Sequence, residues 1–387
     1  MIELILGSLF VISASLVVYH HVGYPLLLKI VAKKKRARVS SESTRHYRNT
    51  QADRYRPSMT ILVPAYNEQA WIAQKIRNLA CIDYPRDRYK VVIVCDGCTD
   101  HTVDIAEATI QEAFCSETHF EIISFAENQG KVAIINQMMQ QIESDITALS
   151  DVSALISVDA LLLAEQHFAR QEIGVVNSRY QILQSDNEGE VKYWHYQEMM
   201  QRGEASLGAN IGAHGALYFF RTHLFTPLKP DVINDDFVIP MAIVRAGYRA
   251  IYEPNVVAIE LESTNVTNDF KRRVRISAGN MQQIIMLSDL LSPRYKAVAF
   301  AFGSGKTLRL LTPYFMITCF ITSLLLSTHP LFLAILLLQI GFYTIASLGL
   351  LLPSVFTNRY LKCVSYFVAG HSANLCGGIR YICRRHA

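Results

Sequence analysis

The chain has little charge, and what it has is nearly balanced. Of its 387 residues only 18% are Asp, Glu, Lys or Arg, and 37 basic against 33 acidic side chains leave a formal net charge of +4. So small a surplus excludes a nucleic-acid binder that works by neutralising many phosphates. Cysteine is scarce too: there are eight, with one CxxC (Cys95 and Cys98) and no second to complete a zinc site. That excludes a disulfide scaffold and fits a reducing compartment, the pair reading as small residues at a strand end. Apolar residues are what abounds. A 51% hydrophobic fraction and a mean hydropathy of +0.18 exclude a disordered chain and a collagen, and point to a soluble-type domain joined to membrane segments.

Charge vanishes altogether from Leu4 to Leu28. That stretch is long enough to cross a hydrocarbon core, which takes about 20 residues, and too long for a signal-peptide core. Directly after it, ten Lys/Arg and two acids (Glu42, Asp53) fall between Lys29 and Arg56, a local net of +8. The positive-inside rule then puts the N-terminus outside and the following residues in the cytoplasm. A second uncharged stretch, Leu310 to Asn358, predicts a hairpin of spans at roughly 310–328 and 331–352, turned by Ser327-Thr328-His329-Pro330. Cys363 to Ile379 is shorter and carries His371, Asn374, Gly377 and Gly378, which favours an interfacial or re-entrant helix over a further crossing. The implied organisation is an N-terminal transmembrane helix (1–30), a basic linker (31–56), a cytoplasmic domain (57–290), an interfacial helix (291–309), the hairpin (310–352) and a terminal membrane segment (353–387).

Within the middle domain, Met59–Val63, Val91–Cys95, Glu121–Phe125 and Ile146–Leu149 read as strands, and Gln69–Ala80, Asp100–Phe114 and Lys131–Glu143 as helices. Strands joined by helical crossovers make a mainly parallel α/β sheet, whose ligands sit at the carboxyl ends of the strands. Those ends read Pro64-Ala65-Tyr66-Asn67-Glu68, Asp96-Gly97-Cys98-Thr99-Asp100, Asn128-Gln129-Gly130-Lys131 and Ser150-Asp151-Val152-Ser153. Taken singly each is ordinary turn chemistry, and Asp100 could simply cap a helix. Together they place acids, a lysine and small residues along one rim, as a nucleotide-diphosphate pocket requires.

The ordered strings PAYNE, VIVCDGCTDHT, NQGK, SDVSA, GALYFFR, INDDF and RRVRISAG resemble the membrane-bound family 2 glycosyltransferases. Cellulose-, hyaluronan- and poly-N-acetylglucosamine-synthase-like enzymes are among them, and the match runs over roughly residues 57 to 313. The resemblance implies a GT-A nucleotide-sugar domain with transmembrane helices at both ends. It assigns Pro64, Ala65, Tyr66, Glu68, Asp96 and Lys131 to the donor, and Asp151 to the donor and its divalent metal, Mg2+ or Mn2+. Asp236, with Asp235 beside it, matches the catalytic base. Arg272, Arg273 and Arg275 fall where the family keeps arginines near the diphosphate, and His214 and Gly215 fall towards the acceptor. Two departures stand out. Ser153 replaces the second acid of the family's DxD motif, and Ile276 replaces a tryptophan that stacks on acceptor sugar, which weakens the case for processive polymerisation.

The implied chemistry is inverting transfer from a nucleotide donor, UDP-linked by the resemblance, to a glycan or lipid-linked acceptor in surface polysaccharide synthesis. It takes place at the bacterial inner membrane, with no nucleic acid, and with assembly partners or a second copy of the chain as the protein partners. Asp236 at a helix start (Asp236 to Arg245) can act as base or merely as a cap. Arg272 suits lipid headgroups as well as a diphosphate, and His214 suits a hydrogen-bonded structural role as well as an acceptor contact. A processive synthase that also threads its polymer, and a catalytically silent membrane scaffold, stay open as alternatives. Gly303-Ser304-Gly305-Lys306-Thr307 imitates a phosphate loop, but the pattern needs glycine where Phe300 stands.

Overall fold

The N-terminal apolar run folds as α1 (Ile2–Val18), a π-helical turn (Tyr19–Gly23) and α2 (Tyr24–Lys35). This computed structural model describes residues 1–35, 53, 55–183, 188–262, 266–352 and 358–385, so most of the basic linker lies outside the described residues. The chain forms two compact units: one of residues 1–31, 187–193 and 264–387, the other of 32–186 and 194–263.

The second unit holds the sheet. In chain order its elements are β1 (Met59–Ala65), α3 (Ile72–Ala80), β2 (Tyr89–Asp96), α4 (Thr102–Ile110), β3 (His119–Phe125), α5 (Lys131–Met139), β4 (Ile146–Leu149) and β5 (Ala154–Ile156). Then come α6 (Ala160–Phe168), β6 (Ile173–Ile182), α7 (Glu188–Leu207), which begins among the residues of the first unit, β7 (Tyr218–Arg221), α8 (Asp235–Arg245) and β8 (Arg249–Glu260). The eight strands lie in the order β3-β2-β1-β4-β7-β6-β8-β5. Pairings β1–β2, β2–β3, β1–β4 and β6–β8 are parallel, while β7 runs antiparallel to both β4 and β6, and β5 to β8. Central strands β1, β2 and β4 are almost wholly buried, which explains their unbroken Val/Ile/Leu runs, since both faces are covered.

The expected elements are present with shifted ends. The helix expected from Gln69 starts at Ile72, because Gln69 N–H donates to Asp100 Oδ2 (3.2 Å) and Glu68 N–H to Thr102 Oγ1 (2.7 Å), holding residues 68–69 in a turn. The helix expected over Asp100–Phe114 stops at Ile110 and resumes as a 3-10 turn, Ala113–Cys115. His101 holds its N-cap position, and Asp100, one residue earlier, accepts Thr102 N–H at 3.0 Å.

In the first unit the chain continues through α9 (Val266–Met286), two 3-10 turns, α10 (Ala297–Ala301), a second π turn (Phe302–Thr307), α11 (Leu308–Leu325), α12 (Pro330–Leu351) and α13 (Arg359–Arg385). Three helical runs among the described residues are long and apolar enough to cross a membrane: Ile2–Lys33, Ala297–Leu325 and Pro330–Leu351. The second starts well before the expected residue 310, because α10, the π turn and α11 join end to end. The imitation phosphate loop is therefore that π turn. α13 is longer than its apolar run suggests, and the residues that interrupt the run are packing contacts. Gly377 faces α9 so closely that a Cβ there would lie 2.5 Å from the Ser277 Cβ and the Val274 carbonyl oxygen, and Ser277 Oγ donates to Asn374 Oδ1 at 2.8 Å.

Candidate functional site

The register sets the site. Leu149 pairs with Leu62 of β1 on one side and with Tyr218 of β7 on the other, so Ser150 and Asp151 emerge at the carboxyl end of β4 beside the segment that leads into β7. Ser150 N–H donates to the Leu62 carbonyl (3.1 Å) and Asp151 N–H to that of Gly215 (3.2 Å). Gly215 is there for lack of room: a Cβ on it would lie 2.7 Å from Asp151 Oδ2.

Lys131, first residue of α5, reaches across to this acid. Its Nζ lies 2.8 Å from Asp151 Oδ1 and 3.5 Å from Asp235 Oδ2. Burial works against charge at Asp151, but the ammonium of Lys131 and its hydrogen bond, helped by His214 and Lys75, hold the carboxyl below its ordinary range. Burial likewise opposes charge on Lys131, and Asp151, Asp235 and Asp236 together outweigh it and raise its proton affinity. With over a third of both side chains exposed (36% and 38%), the pair contributes only about 0–1 kcal/mol to stability. Its importance is positional.

Asp235 and Asp236 form the first turn of α8, where the helix N-terminus favours negative charge by about 0.3–1 kcal/mol each. Asp235 is buried and Asp236 half-buried. Pro240 sits inside this helix and has no N–H to give the Asp236 carbonyl four residues back. That carbonyl accepts Ala213 N–H instead, at 2.9 Å. The loop bearing His214 and Gly215 is thereby docked on the helix bearing Asp236. His214 itself stacks on Tyr180 with ring centroids 3.7 Å apart, and its Nδ1 accepts Ala216 N–H at 3.2 Å.

At the carboxyl end of β2, Asp96 Oδ1 and Oδ2 accept Gln129 N–H and Gly130 N–H, both at 2.8 Å. Asp96 thus fixes the turn that launches Lys131, and an ionised carboxylate retains lone pairs for a ligand. Gly97 makes that turn possible: its φ is +63° and a Cβ would lie 2.2 Å from the Asn128 nitrogen. Tyr66, after Pro64 and Ala65, is half exposed. Glu68 is pushed up to about 7, by burial first and then by Glu262, Asp151, Glu260 and Asp100.

Two residues, Lys75 and Tyr218, were not singled out in the sequence, and Ser150 was named only as part of the rim. Lys75 of α3 is fully buried, and its Nζ donates to Ser150 Oγ (2.6 Å) and the Ala154 carbonyl (2.5 Å), bracketing Asp151. Ser150 Oγ donates in turn to the Ala216 carbonyl at 2.6 Å. Tyr218 is fully buried in the field of Asp235, Asp236 and Asp151, and its hydroxyl makes no hydrogen bond. Only the unbroken amphipathic spacing of Ile72, Ile76 and Leu79 hinted at Lys75, which shares their buried face.

The structure therefore brings Glu68, Lys131, Asp151, Asp235, Asp236, His214 and Gly215 to one rim, with Asp96 fixing its edge. It does not bring the arginines into that unit: Arg272, Arg273 and Arg275 lie on α9 of the other unit. Arg273 donates there to the Tyr366 hydroxyl and lies over its ring, 4.5 Å from the centroid.

A divalent cation fits the carboxylates in type, since Asp151 and Asp235 offer oxygen ligands and Asp235 Oδ2 is buried without a hydrogen bond. Among the described residues no three His, Cys, Asp or Glu side chains form a chelating group. A cation at Asp151 would hence draw most of its ligands from the diphosphate it accompanies.

A sheet of this order with such a rim is of the GT-A kind. The mannosyltransferase PcManGT of Pyrobaculum calidifontis, solved with GDP-Man and Mn2+, superposes with a TM-score of 0.68 at 24% identity, covering 95% of this chain and 99% of that one, and so shares the fold. The family model described as Glycosyltransferase like family 2 matches residues 57–279, more than half the chain, and the protein belongs to that family. A β-monoglucosyldiacylglycerol synthase of Nostoc sp. is 32% identical over 125 residues, 32% of this chain and 26% of its own. An N-acetylglucosaminyltransferase of Azorhizobium caulinodans is 20% identical over 238 residues, covering 57% of this chain and 58% of that one. The chain thus spans from about a quarter to just over half the length of these curated relatives.

Proposed function

We propose that the protein is an inverting, cation-assisted membrane glycosyltransferase. It moves a sugar from a nucleotide donor, UDP-linked by the motif resemblance, to a lipid-linked or glycan acceptor for a surface polysaccharide. The observation that carries this reading is the convergence of Asp151, Asp235 and Asp236 on one lysine at the carboxyl end of β4. A shared cleft for the acid at the donor and the acid at the attacking hydroxyl is what one-step displacement needs.

Asp236, in the first turn of α8, takes the proton of the acceptor hydroxyl as it attacks C1. Lys131 faces the leaving diphosphate and offsets its charge, a kind of stabilisation that supplies the largest share of many rate enhancements. Gly215 leaves room for the Asp151 carboxylate, and Asp96 holds the Gln129–Gly130 turn ahead of Lys131. Held by Asp151 together with the donor, Mg2+ or Mn2+ would supply further neutralisation of the diphosphate. With Asp236 as the base and no second carboxylate among the described residues assigned a nucleophile's role, the reading is direct displacement with inversion at C1. The basic residues from Lys29 onwards favour a cytoplasmic catalytic unit, and the three apolar runs favour an acceptor delivered from the bilayer.

Membranes containing the protein, incubated with a panel of radiolabelled nucleotide sugars, test this. One labelled nucleotide should give a lipid-extractable or glycan product. Long polymer would point to a processive synthase, and no product from any donor would refute the transferase reading.

A further inference from the structure

The ammonium of Lys131 stands between the two carboxylates that a metal would approach. Its contacts are 2.8 Å to Asp151 Oδ1 and 3.5 Å to Asp235 Oδ2. Magnesium or manganese bound to a carboxylate oxygen sits at about 2.0–2.2 Å, so on Asp151 Oδ1 it would face the Lys131 ammonium at close range, and the two positive charges repel one another in this arrangement. Ser153, in place of a second acid, has its carbonyl engaged by Leu261 N–H at 2.9 Å and is buried. It offers no second carboxylate to share the load.

The arrangement is also incomplete in a particular way. Asp235 Oδ2 and the Tyr218 hydroxyl are both buried at this cluster without a hydrogen bond. Native interiors seldom leave such groups unmatched; Asp235 Oδ2 has only the longer 3.5 Å ion pair to Lys131, so both groups keep capacity for a further partner. Lys131 is suited to regroup. It is the first residue of α5, 36% exposed at its side chain, on a flexible four-carbon stem.

We propose that Lys131 is a tethered counter-cation: without donor its ammonium holds the Asp151–Asp235 pair and excludes a divalent ion, and an arriving diphosphate draws it off. Donor and metal then enter as one unit, and a donor-free protein does not load metal by itself. The diphosphate half of this statement rests on the proposed transferase reading, whereas the exclusion of metal does not.

Mn2+ binding to the donor-free, full-length protein in detergent, followed by electron paramagnetic resonance, tests it without any turnover. Lys131→Met and Lys131→Gln should each bind one Mn2+ at least tenfold more tightly than the parent, and adding Asp151→Asn should abolish the gain. Lys131→Arg should bind as weakly as the parent. Lys90→Met, which removes a lysine at the start of β2, should change affinity less than twofold and so controls for net charge. Inorganic pyrophosphate should raise the parent's Mn2+ affinity and narrow the gap to Lys131→Met. Equal affinity in the parent and both neutral variants, or a gain that survives Asp151→Asn, would overturn the proposal. A tenfold gain in a protein that transfers no sugar would uphold the exclusion and remove only the transferase reading.

Discussion

Lys75→Met isolates the buried cation behind the site. Lys75 is fully buried, and burial pushes its ammonium down from 10.5 to about 7 despite the favourable charges of Asp151 and Glu260. A separation of that size corresponds to roughly 5 kcal/mol of disfavoured charge. The unfolded chain keeps the proton up to about 10.5, whereas the folded protein releases it near 7. Between those values the unfolded state binds more protons, so stability rises with pH across the window and is flat, with the penalty in full, below it. Methionine has nearly the same volume and no charge. It forfeits the two hydrogen bonds to Ser150 and Ala154, about 1 kcal/mol each, and is relieved of the desolvation cost. The variant should therefore be at least as stable as the parent at pH 7 and should lack the parent's alkaline rise. Thermal unfolding followed by tryptophan fluorescence from pH 7 to 10 measures this, because Trp71 caps the same helix. Parallel pH curves for the two proteins would refute the reasoning.

Other consequences follow from the same contacts. Gly215→Ala puts a Cβ 2.7 Å from Asp151 Oδ2, so the carboxylate must turn, and transfer should fall at least tenfold with little change in unfolding midpoint. Glu68, raised to about 7 from 4.5, binds more protons folded than unfolded between those values, so its contribution to stability is lost as pH rises through them. Glu68→Gln should remove that slope in a pH series of unfolding midpoints.

Much of the site was legible because its residues follow strands. Buried parallel strands write unbroken apolar runs, so Val91–Cys95 and Ile146–Leu149 were plain, and with them the positions of Asp96 and Asp151. β6 and β8 were not read, for β8 alternates buried and half-exposed positions and carries Pro254, and their parallel pairing joins residues far apart in sequence. The link between Lys131 and Asp235 was hidden for the same reason, as nothing local to either shows that they meet. Lys75 was hidden differently, since a lysine on an amphipathic helix is expected on the wet face. Arg273 was read from its motif position alone, and its contact with Tyr366 of α13 joins residues 93 apart in sequence.

Asp236→Asn tests the central claim most directly, because it removes a base and little else from the first turn of α8. Turnover with the preferred nucleotide sugar should fall by about 10²–10⁴-fold, with donor affinity by equilibrium dialysis within a factor of two of the parent. Turnover equal to the parent's would contradict the account, since a group other than Asp236 would then have to receive the acceptor's proton.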